Sequence, residues 1–360
     1  MSAFAINGSP RSGSAVKAAA ADRSRVTAVW LFVVAGIVLA MVVVGGATRL
    51  TGSGLSITQW KPITGVLPPL SYRAWLHAYA LYQATAQYRL VNNDMSLSGF
   101  QFIFWWEWAH RLLGRLLGAT FLLPFAILVA TRRLPRRLVW RCAVLFALGA
   151  LQGAVGWWMV KSGLEDRVSV APERLAAHLG LALALFVALV WTGLDAWGGG
   201  YAAQRIRRRD GWTLAGTIFV AAAYVQCLLG ALVAGNRAGL VDNDWPLMGG
   251  RLVPVDYWQD GFWRTIAHGL SAVQFNHRMF AYGLLILGVG MAVAGLRSPR
   301  TPAGVTVLAL ALAVILVFQV GLGVLTLILG VPIWLALAHQ ANAVLLLAAA
   351  TTMAWRVRRA

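Results

Sequence analysis

The sequence is poor in acidic residues and in cysteine. It holds 12 Asp and Glu against 31 Lys and Arg, and charged residues of both signs make up only 12% of its 360 positions. With 59% hydrophobic residues and a mean hydropathy of +0.68, this composition excludes an ordinary soluble domain. The two cysteines, Cys142 and Cys227, fall in or beside apolar segments, which argues against an outer-face disulfide and against a thiol metal site.

Long apolar runs recur along the chain. Eight of them approach the ~20 residues that an α-helix needs to cross the hydrocarbon core of a bilayer. The sequence therefore predicts an all-α integral membrane protein with eight transmembrane helices. The predicted spans are Val26–Val44, Trp108–Ala130, Leu138–Val160, Leu175–Trp197, Leu214–Val233, Gln274–Leu296, Val305–Leu329 and Val331–Met353.

The charged residues are distributed unevenly among the connections between the predicted spans. Basic residues gather in alternate connections, whereas most acidic residues lie in the others. By the positive-inside rule, both termini and the basic connections lie on the cytoplasmic face, or on the matrix face in a mitochondrion. The net charge of +19 thus indicates orientation in a lipid membrane, and no nucleic-acid partner is predicted. The basic clusters fall within residues 11–25, 132–141, 205–209, 297–300 and 356–359.

A histidine pattern occurs twice. Each copy has an acid or amide, a His-Arg pair three residues later, and a second histidine two spans further on. The first copy comprises Glu107, His110, Arg111 and His178, and the second comprises Gln274, His277, Arg278 and His339.

The basic run at residues 205–209 divides the spans four and four. An even number of spans per half gives both halves the same orientation, which is the property of a parallel repeat. We therefore predict two tandem four-helix bundles related by a parallel pseudo-twofold axis, with cytoplasmic N and C termini. The predicted organisation is a disordered tail at residues 1–25, an N-terminal half at 26–197, a basic linker at 198–211 and a C-terminal half at 212–355.

The four histidines of the pattern lie near the outward ends of even-numbered spans. A single intramembrane histidine is more often a hydrogen-bonded core residue, but four in equivalent places favour metal ligands, because an ionisable residue without a partner is costly in lipid. Imidazole suits iron, copper or zinc, and a haem fits a helical bundle where no cysteine or carboxylate cluster completes a shell. His77 and His268 are predicted to be surface or non-ligand residues.

The two copies differ where an acid can act. Glu107 lies on the same helix face as His110, and a carboxylate there suits proton transfer on a bound substrate. The alternative is an interfacial glutamate paired with Arg111 or Arg115. Because Gln274 keeps the shape but not the acid, we expect chemistry in the first half and a permanent cofactor in the second. Arg111 and Arg278 are expected either to neutralise haem propionates or to snorkel.

At these residues the chain resembles the haem A synthases, membrane enzymes of cytochrome oxidase assembly. The resemblance spans roughly residues 25–355. Some bacterial members carry a cysteine pair in the first outer connection, and its absence here places the chain with the mitochondrial-like branch. The motifs that carry the resemblance are Gly45-Gly-Ala-Thr-Arg-Leu-Thr-Gly-Ser-Gly-Leu-Ser56, Trp60-Lys-Pro62, Phe104-Trp-Trp-Glu-Trp-Ala-His-Arg111, Gln152-Gly-Ala-Val-Gly-Trp157, Ala177-His-Leu-Gly180, Gln274-Phe-Asn-His-Arg278 and His339-Gln-Ala-Asn342.

The resemblance implies an activity and assigns the sites. It implies that haem b binds in the second half, with His277 and His339 as axial iron ligands, and that the substrate haem O binds near His110 and His178. It further implies that Glu107 is required, and that two hydroxylations of one methyl group followed by loss of water produce the formyl group of haem A. Haem O synthase and cytochrome oxidase assembly factors are the implied partners, and self-association is left open.

Two other functions also account for parts of the sequence. A dihaem electron-transfer cytochrome explains the four histidines but not the exchange of Glu107 for Gln274. A haem or metabolite transporter is disfavoured by the parallel repeat. The short N-terminal tail favours the inner membrane of a bacterium over that of a mitochondrion.

Overall fold

The computed structural model describes residues 11–165, 167–198, 210–258 and 261–359. Within these ranges the chain forms eight helices long and apolar enough to span a membrane, which confirms the predicted number. The long helices are α1 (Arg11–Leu50), α4 (Leu97–Ala130), α5 (Arg136–Leu164), α6 (Pro172–Trp197), α7 (Gly211–Asn236), α9 (Leu270–Arg297), α10 (Ala303–Ile328) and α11 (Ile333–Val357). The short helices are α2 (Tyr72–Gln83), α3 (Ala86–Val91) and α8 (Phe262–Ala267).

The first helix starts well before the predicted span. The disordered tail was expected to reach residue 25, whereas α1 begins at Arg11. Alanine is the best helix former, and the alanine-rich residues 18–21 lie in this segment. Residues 1–10 of the expected tail and 199–209 of the expected linker lie outside the described residues.

Helix α4 also begins earlier than predicted, at Leu97 rather than Trp108. Its first turns carry an aromatic surface that packs on α2. Phe100 stacks on Tyr82 with ring centroids 5.4 Å apart, and Phe104 meets Trp75 edge-on at 4.9 Å. From the sequence, the Trp- and Tyr-rich stretch at residues 72–79 predicts short helices at the membrane interface, and the alternative is a mere spacer. The structure shows helices, and they form a cap on the extension of α4.

Four helices form the centre of the bundle. Helices α6 and α11 pack against each other, and each also packs against both α1 and α7. Helix α4 packs on α1 and α5, whereas α9 packs on α7 and α10. We call the end of the bundle that carries the connections at residues 51–96 and 237–269 the long-loop end, and the opposite end, where α11 finishes, the terminal end.

A buried carboxylate joins several helices at the terminal end. Asp195 of α6 is 2% exposed. Its Oδ2 accepts a hydrogen bond from Arg141 of α5 at 2.7 Å, and its Oδ1 accepts one from the indole of Trp355 in α11 at 2.8 Å. Arg359 also donates to Oδ1. Since a buried charge is tolerated only when it is paired, this cluster fixes the positions of α5, α6 and the C-terminal residues relative to one another.

Replacing Asp195 by asparagine is expected to destabilise the bundle. The substitution leaves two guanidinium groups facing an amide, and the loss should be roughly 2–3 kcal/mol, because Arg141 is 34% exposed and solvent screens part of the effect. Thermal unfolding in detergent, followed with a thiol-reactive fluorophore on the free Cys142 and Cys227, measures the change.

The matched control is Glu165→Gln. Glu165 pairs with Lys161 at 3.8 Å, but the two side chains are 57% and 62% exposed. Exposed pairs contribute about 0–1 kcal/mol, so this variant should unfold at nearly the wild-type temperature. Equal unfolding temperatures for the two variants would contradict a structural role for the Asp195 cluster.

Candidate functional site

The four histidines of the repeated pattern lie on four different helices at the long-loop end. His178, His277 and His339 come 6, 7 and 6 residues after the first residues of their helices (178 − 172, 277 − 270 and 339 − 333). His110 comes 13 residues into α4 (110 − 97), because this helix extends further out to carry the cap.

The second pair of histidines has the spacing of two ligands on one metal ion. The ring centroids of His277 and His339 are 6.4 Å apart, and the ring planes are inclined at 74°. A metal ion bonded to both rings at about 2 Å from each nitrogen places the centroids roughly 6 Å apart. The separation therefore fits a shared iron. The first pair of histidines lies on two different helices, His110 on α4 and His178 on α6.

Each of these rings packs against a glycine of the span that precedes it. A Cβ atom on any of the four glycines would lie 3.1 Å or less from the ring, which is closer than side chains normally approach. Glycine is therefore required for the helices to come this near. The pairs are Gly45 with His110, Gly156 with His178, Gly230 with His277 and Gly323 with His339.

The small residues Gly153 and Gly321 also predict helix–helix contacts from the sequence. That prediction is wrong, because among the described residues no atom lies within 4 Å of a Cβ on either one. Gly153 lies roughly 60° around the helix axis from Gly156, and Gly321 lies roughly 160° from Gly323. In each pair the second glycine reaches the neighbouring histidine and the first does not. Only Gly156 and Gly323 contact a neighbouring helix as expected.

Glutamines hold three of the four rings. In each case the side-chain Nε2 donates to the backbone oxygen of the histidine, at 2.8–3.0 Å, and lies 3.0–3.1 Å from its Nδ1. The sequence alone did not reveal this role, although each of these glutamines lies four residues before the glycine that contacts the same histidine. The pairs are Gln152 with His178, Gln226 with His277 and Gln319 with His339.

Glu107 is buried beneath the connection that follows α1. It is 3% exposed, and its Oε2 accepts hydrogen bonds from the Ser56 hydroxyl and the Ile57 backbone N–H, both at 2.8 Å. Its Oε1 accepts from Arg111 at 2.6 Å. All these partners donate, and an ionised carboxylate, which only accepts, satisfies every one. Glu107 thus ties the connection to α4 and makes the Arg111 pair that the sequence gave as its alternative.

Gln274 occupies the corresponding place on α9, but it faces two carbonyl oxygens, whereas Glu107 faces a hydroxyl and an N–H group. Its Nε2 donates to the backbone oxygens of Ala238 and Val241, at 2.8 and 2.6 Å. Its Oε1 accepts from Arg278 at 2.6 Å. An amide can donate on one side and accept on the other, which a carboxylate cannot do. Each residue therefore matches its connection: the Glu107 carboxylate accepts from donors, and the Gln274 amide donates to acceptors. This match accounts for the difference between the two copies independently of acid–base chemistry.

Both arginines of the pattern are engaged by backbone oxygens. Arg111 donates to Ile57 at 2.7 Å and to Gln59 at 2.9 Å. Arg278 is 8% exposed, and its two terminal nitrogens bond three loop carbonyls besides Gln274. In the part of the chain that the structure describes, Nε of Arg278 has no hydrogen-bond partner. The geometry thus gives these arginines a loop-holding role, while propionate binding stays a prediction.

Asp244 anchors the connection in the second half. The backbone N–H groups of Gly250 and Gly249 donate to its carboxylate at 3.0 and 2.9 Å and hold the pKa of Asp244 below its ordinary value. Its own carbonyl accepts from Arg278 at 3.0 Å. The charged carboxylate thus stabilises the turn next to the residues that surround Arg278.

Gln340 connects the two halves beside these sites. It follows His339 in α11, and its Nε2 donates to the backbone oxygen of Val42 in α1 at 3.1 Å. Its Oε1 lies 1.9 Å from where a Cβ on Gly46 would be, so a side chain at that position would force the Gln340 amide to move. Gly46 adjoins Gly45, the glycine that contacts the first histidine of the pattern. Neighbouring residues of α11 therefore face both candidate sites.

The other two histidines lie apart from the pattern, as predicted. His77 is exposed on α2. His268 lies 3.9 Å from a carboxylate oxygen of Glu173. The nine residues from His268 to His277 predict about two and a half turns of one helix. Instead, α8 ends at Ala267 and α9 begins at Leu270, so the two histidines do not share a helix. Among the described residues, no three His, Cys, Asp or Glu side chains form a group that could hold a metal ion.

Known proteins match this chain over nearly its whole length. The family model described as cytochrome oxidase assembly protein matches residues 28–351. The chain belongs to this family. A protein of Caulobacter sp. (strain K31) named heme A synthase is 59% identical over 338 residues, which cover 94% of this chain and 98% of the relative. Heme A synthases of Caulobacter vibrioides and Rhodopseudomonas palustris (strain BisA53) are 57% and 48% identical, over 94% and 91% of the chain and 98% and 90% of the relatives.

Membership in the cytochrome oxidase assembly family agrees with the resemblance noted in the sequence. The relatives are bacterial, and the described residues contain eight helices able to span a membrane. The chain is thus a multi-pass protein of the bacterial inner membrane, which confirms the predicted location.

The glycine contacts predict a sharp difference between two neighbouring glycine-to-alanine substitutions in α10. In Gly323→Ala the new Cβ meets the His339 ring at 2.8 Å, so the ring must move. If His339 is an iron ligand, this displacement should lower haem retention roughly tenfold or more. Haem per chain in purified protein, from the pyridine haemochrome spectrum, is the measurement.

Gly321→Ala is the control, because its Cβ meets nothing within 4 Å. Alanine is also a better helix former than glycine, so this variant should fold at least as well as wild type. If both variants retain haem equally, the His339 ring is not a ligand.

Proposed function

We propose that this chain is a haem A synthase, which oxidises a methyl group of haem O to a formyl group. The observation that carries the proposal is the match to proteins named heme A synthase, at up to 59% identity over 94% of the chain. The paired imidazoles supply the physical basis for haem binding, because histidines from facing helices are suitable axial ligands for haem iron.

We further propose a division of labour between the halves. Haem b is assigned to His277 and His339, whose ring separation of 6.4 Å suits one shared iron. The substrate haem O is assigned to His110 and His178. The glycine beside each ring supports all four assignments, since a side chain there would block the close approach of the helices.

Glu107 is proposed as the proton-accepting residue of the first half. Bound haem supplies a redox centre, and the protein supplies position and electrostatics. The overall change is two hydroxylations of one methyl group, with electrons passing to an external acceptor, and loss of water then leaves the formyl group. Glu107 lies one helical turn from His110 and is screened from solvent by the connection at residues 51–57, which suits proton transfer.

The repeat arrangement is part of the proposal. If α1, α4, α5 and α6 correspond to α7, α9, α10 and α11, a parallel pseudo-twofold axis relates every packed pair in one half to a packed pair in the other. The observed contacts support this, since α1 with α4 matches α7 with α9, and α5 with α6 matches α10 with α11. The domain boundaries at residues 26–197 and 212–355 follow from the same correspondence.

The orientation is proposed from the basic connections, which place the terminal end in the cytoplasm. A reporter enzyme that is active only in the periplasm should be inactive when fused after residue 359 and active when inserted at the exposed Gly250. The reverse result would overturn the assignment. The partners that follow from this placement are the lipid bilayer, haem O synthase and cytochrome oxidase assembly factors.

Coexpression with a haem O synthase tests the activity. Extracted haems, separated by chromatography, should include haem A with the wild-type chain. Glu107→Gln should keep haem b bound while haem O accumulates and haem A falls roughly 100-fold or more, the scale of general acid–base catalysis. Two equal haem b centres without haem A would instead identify an electron-transfer cytochrome.

Ser56→Ala separates catalysis from loop holding. It removes one hydrogen bond to Glu107 but keeps the acid, and a single such bond contributes about 1 kcal/mol. Haem A should then fall less than about tenfold. If Ser56→Ala and Glu107→Gln lower haem A equally, Glu107 only holds the connection and its proposed proton transfer is wrong.

A further inference from the structure

One of the four histidines lacks the glutamine that the others have. Gly45 lies in α1 and Gly230 in α7, and each contacts a histidine. Four residues before Gly230 is Gln226, whereas four residues before Gly45 is Met41. Within the described ranges, the His110 ring makes no hydrogen bond. The thioether of methionine is only a weak acceptor and cannot donate, so Met41 cannot replace the amide.

Met41 faces the helix that carries His110. Its methyl carbon lies 3.6 Å from where a Cβ on Gly114 would be. Gly114 comes one helical turn after His110 on the same face of α4. Met41 therefore lies against α4 one helical turn from His110, and it offers no donor of the kind that Gln226 offers to His277.

The His110 ring is also turned differently from the other three. A Cβ on Gly45 would lie nearest Nε2 of His110, at 3.0 Å, and next nearest Cδ2, at 3.4 Å. For His178, His277 and His339 the nearest ring atom is Cε1 and the next is Nδ1. The three rings held by an amide thus share one orientation, and the ring without an amide has another.

The glutamines are suited to hold a ligand histidine. Each is fixed by its bond to the backbone oxygen of the histidine, and Oε1 of Gln152 and of Gln226 is buried without a hydrogen-bond partner in the described part of the chain. A ring that binds iron through Nε2 carries its proton on Nδ1 and needs an acceptor there. When Nδ1 carries that proton, the amide gives up its bond to the backbone oxygen and turns, so that its free oxygen accepts the proton. Methionine has no equivalent group.

We propose that Met41 makes His110 an exchangeable ligand, so that the first half releases its haem while Gln226 helps the second half to keep its own. This inference rests on the proposed function, because an enzyme whose substrate and product are both haems must let one enter and the other leave. The amide is a positioning group, and such partners of a ligand histidine typically change metal affinity 10–100-fold. Met41 thus shortens the time for which the first half holds its haem, and Gln226 lengthens the time for which the second half holds its own.

The test exchanges the two residues. Met41→Gln, Gln226→Met and the double variant are purified from cells that make haem b and haem O. Transfer of haem to excess apomyoglobin gives the dissociation rate, and the optical spectrum gives the fraction of low-spin haem. We expect Met41→Gln to slow haem loss from the first half about 10–100-fold and raise haem per chain, and Gln226→Met to speed loss of haem b by a similar factor.

Met41→Leu is the matched control, because leucine fills similar space without a hydrogen-bonding group, and its rates should equal those of wild type. Unchanged dissociation rates in both Met41→Gln and Gln226→Met would overturn the inference. These readouts need no turnover. A wild-type chain that makes no haem A would contradict the proposed function, whereas equal haem lifetimes in a chain that does make haem A would contradict only the role of Met41.

Discussion

The close contact between an imidazole ring and a glycine backbone determines how the spans pack at the long-loop end. At each of four places a histidine approaches the preceding span so nearly that a Cβ on the glycine would lie 3.1 Å or less from the ring. Without a hydrophobic force between helices in lipid, packing depends on such close approach and on interhelical hydrogen bonds. Glycine supplies the first and, at three of the four places, glutamine supplies the second. The glycines and glutamines that set the distance between the helices therefore also set the positions of the histidines.

Glu107 and Gln274 show that a difference between two similar segments can have a structural origin. Each residue joins its helix to the connection that follows α1 or α7, and each also binds the arginine four residues later. What differs is the connection, which offers a hydroxyl and an N–H in one half and two carbonyls in the other. An acid–base role for Glu107 must therefore operate from within a hydrogen-bond network that already holds the fold.

The sequence predicted the number of spans, their approximate positions and the approach of His277 to His339, because hydropathy and spacing depend on local composition. It did not predict the outward extension of α4, since the aromatic residues around Phe104 look like an interfacial segment until α2 is seen to pack on them. It also missed Gln226, because a single glutamine in an apolar run gives no indication of its partner. The sequence also could not show whether a connection presents N–H groups or carbonyl oxygens to Glu107 or Gln274, because that depends on the conformation of the backbone.

The opposite polarity of the two connections limits what can be exchanged between the halves. A chimera that moves residues 236–242 into the place of 51–57 brings two carbonyl oxygens toward the Glu107 carboxylate, which has no hydrogen to give them. The graft would be tolerated only if the side chain at position 107 changed with it. Each connection and the residue that anchors it, Glu107 or Gln274, must therefore be exchanged together, and neither can change alone.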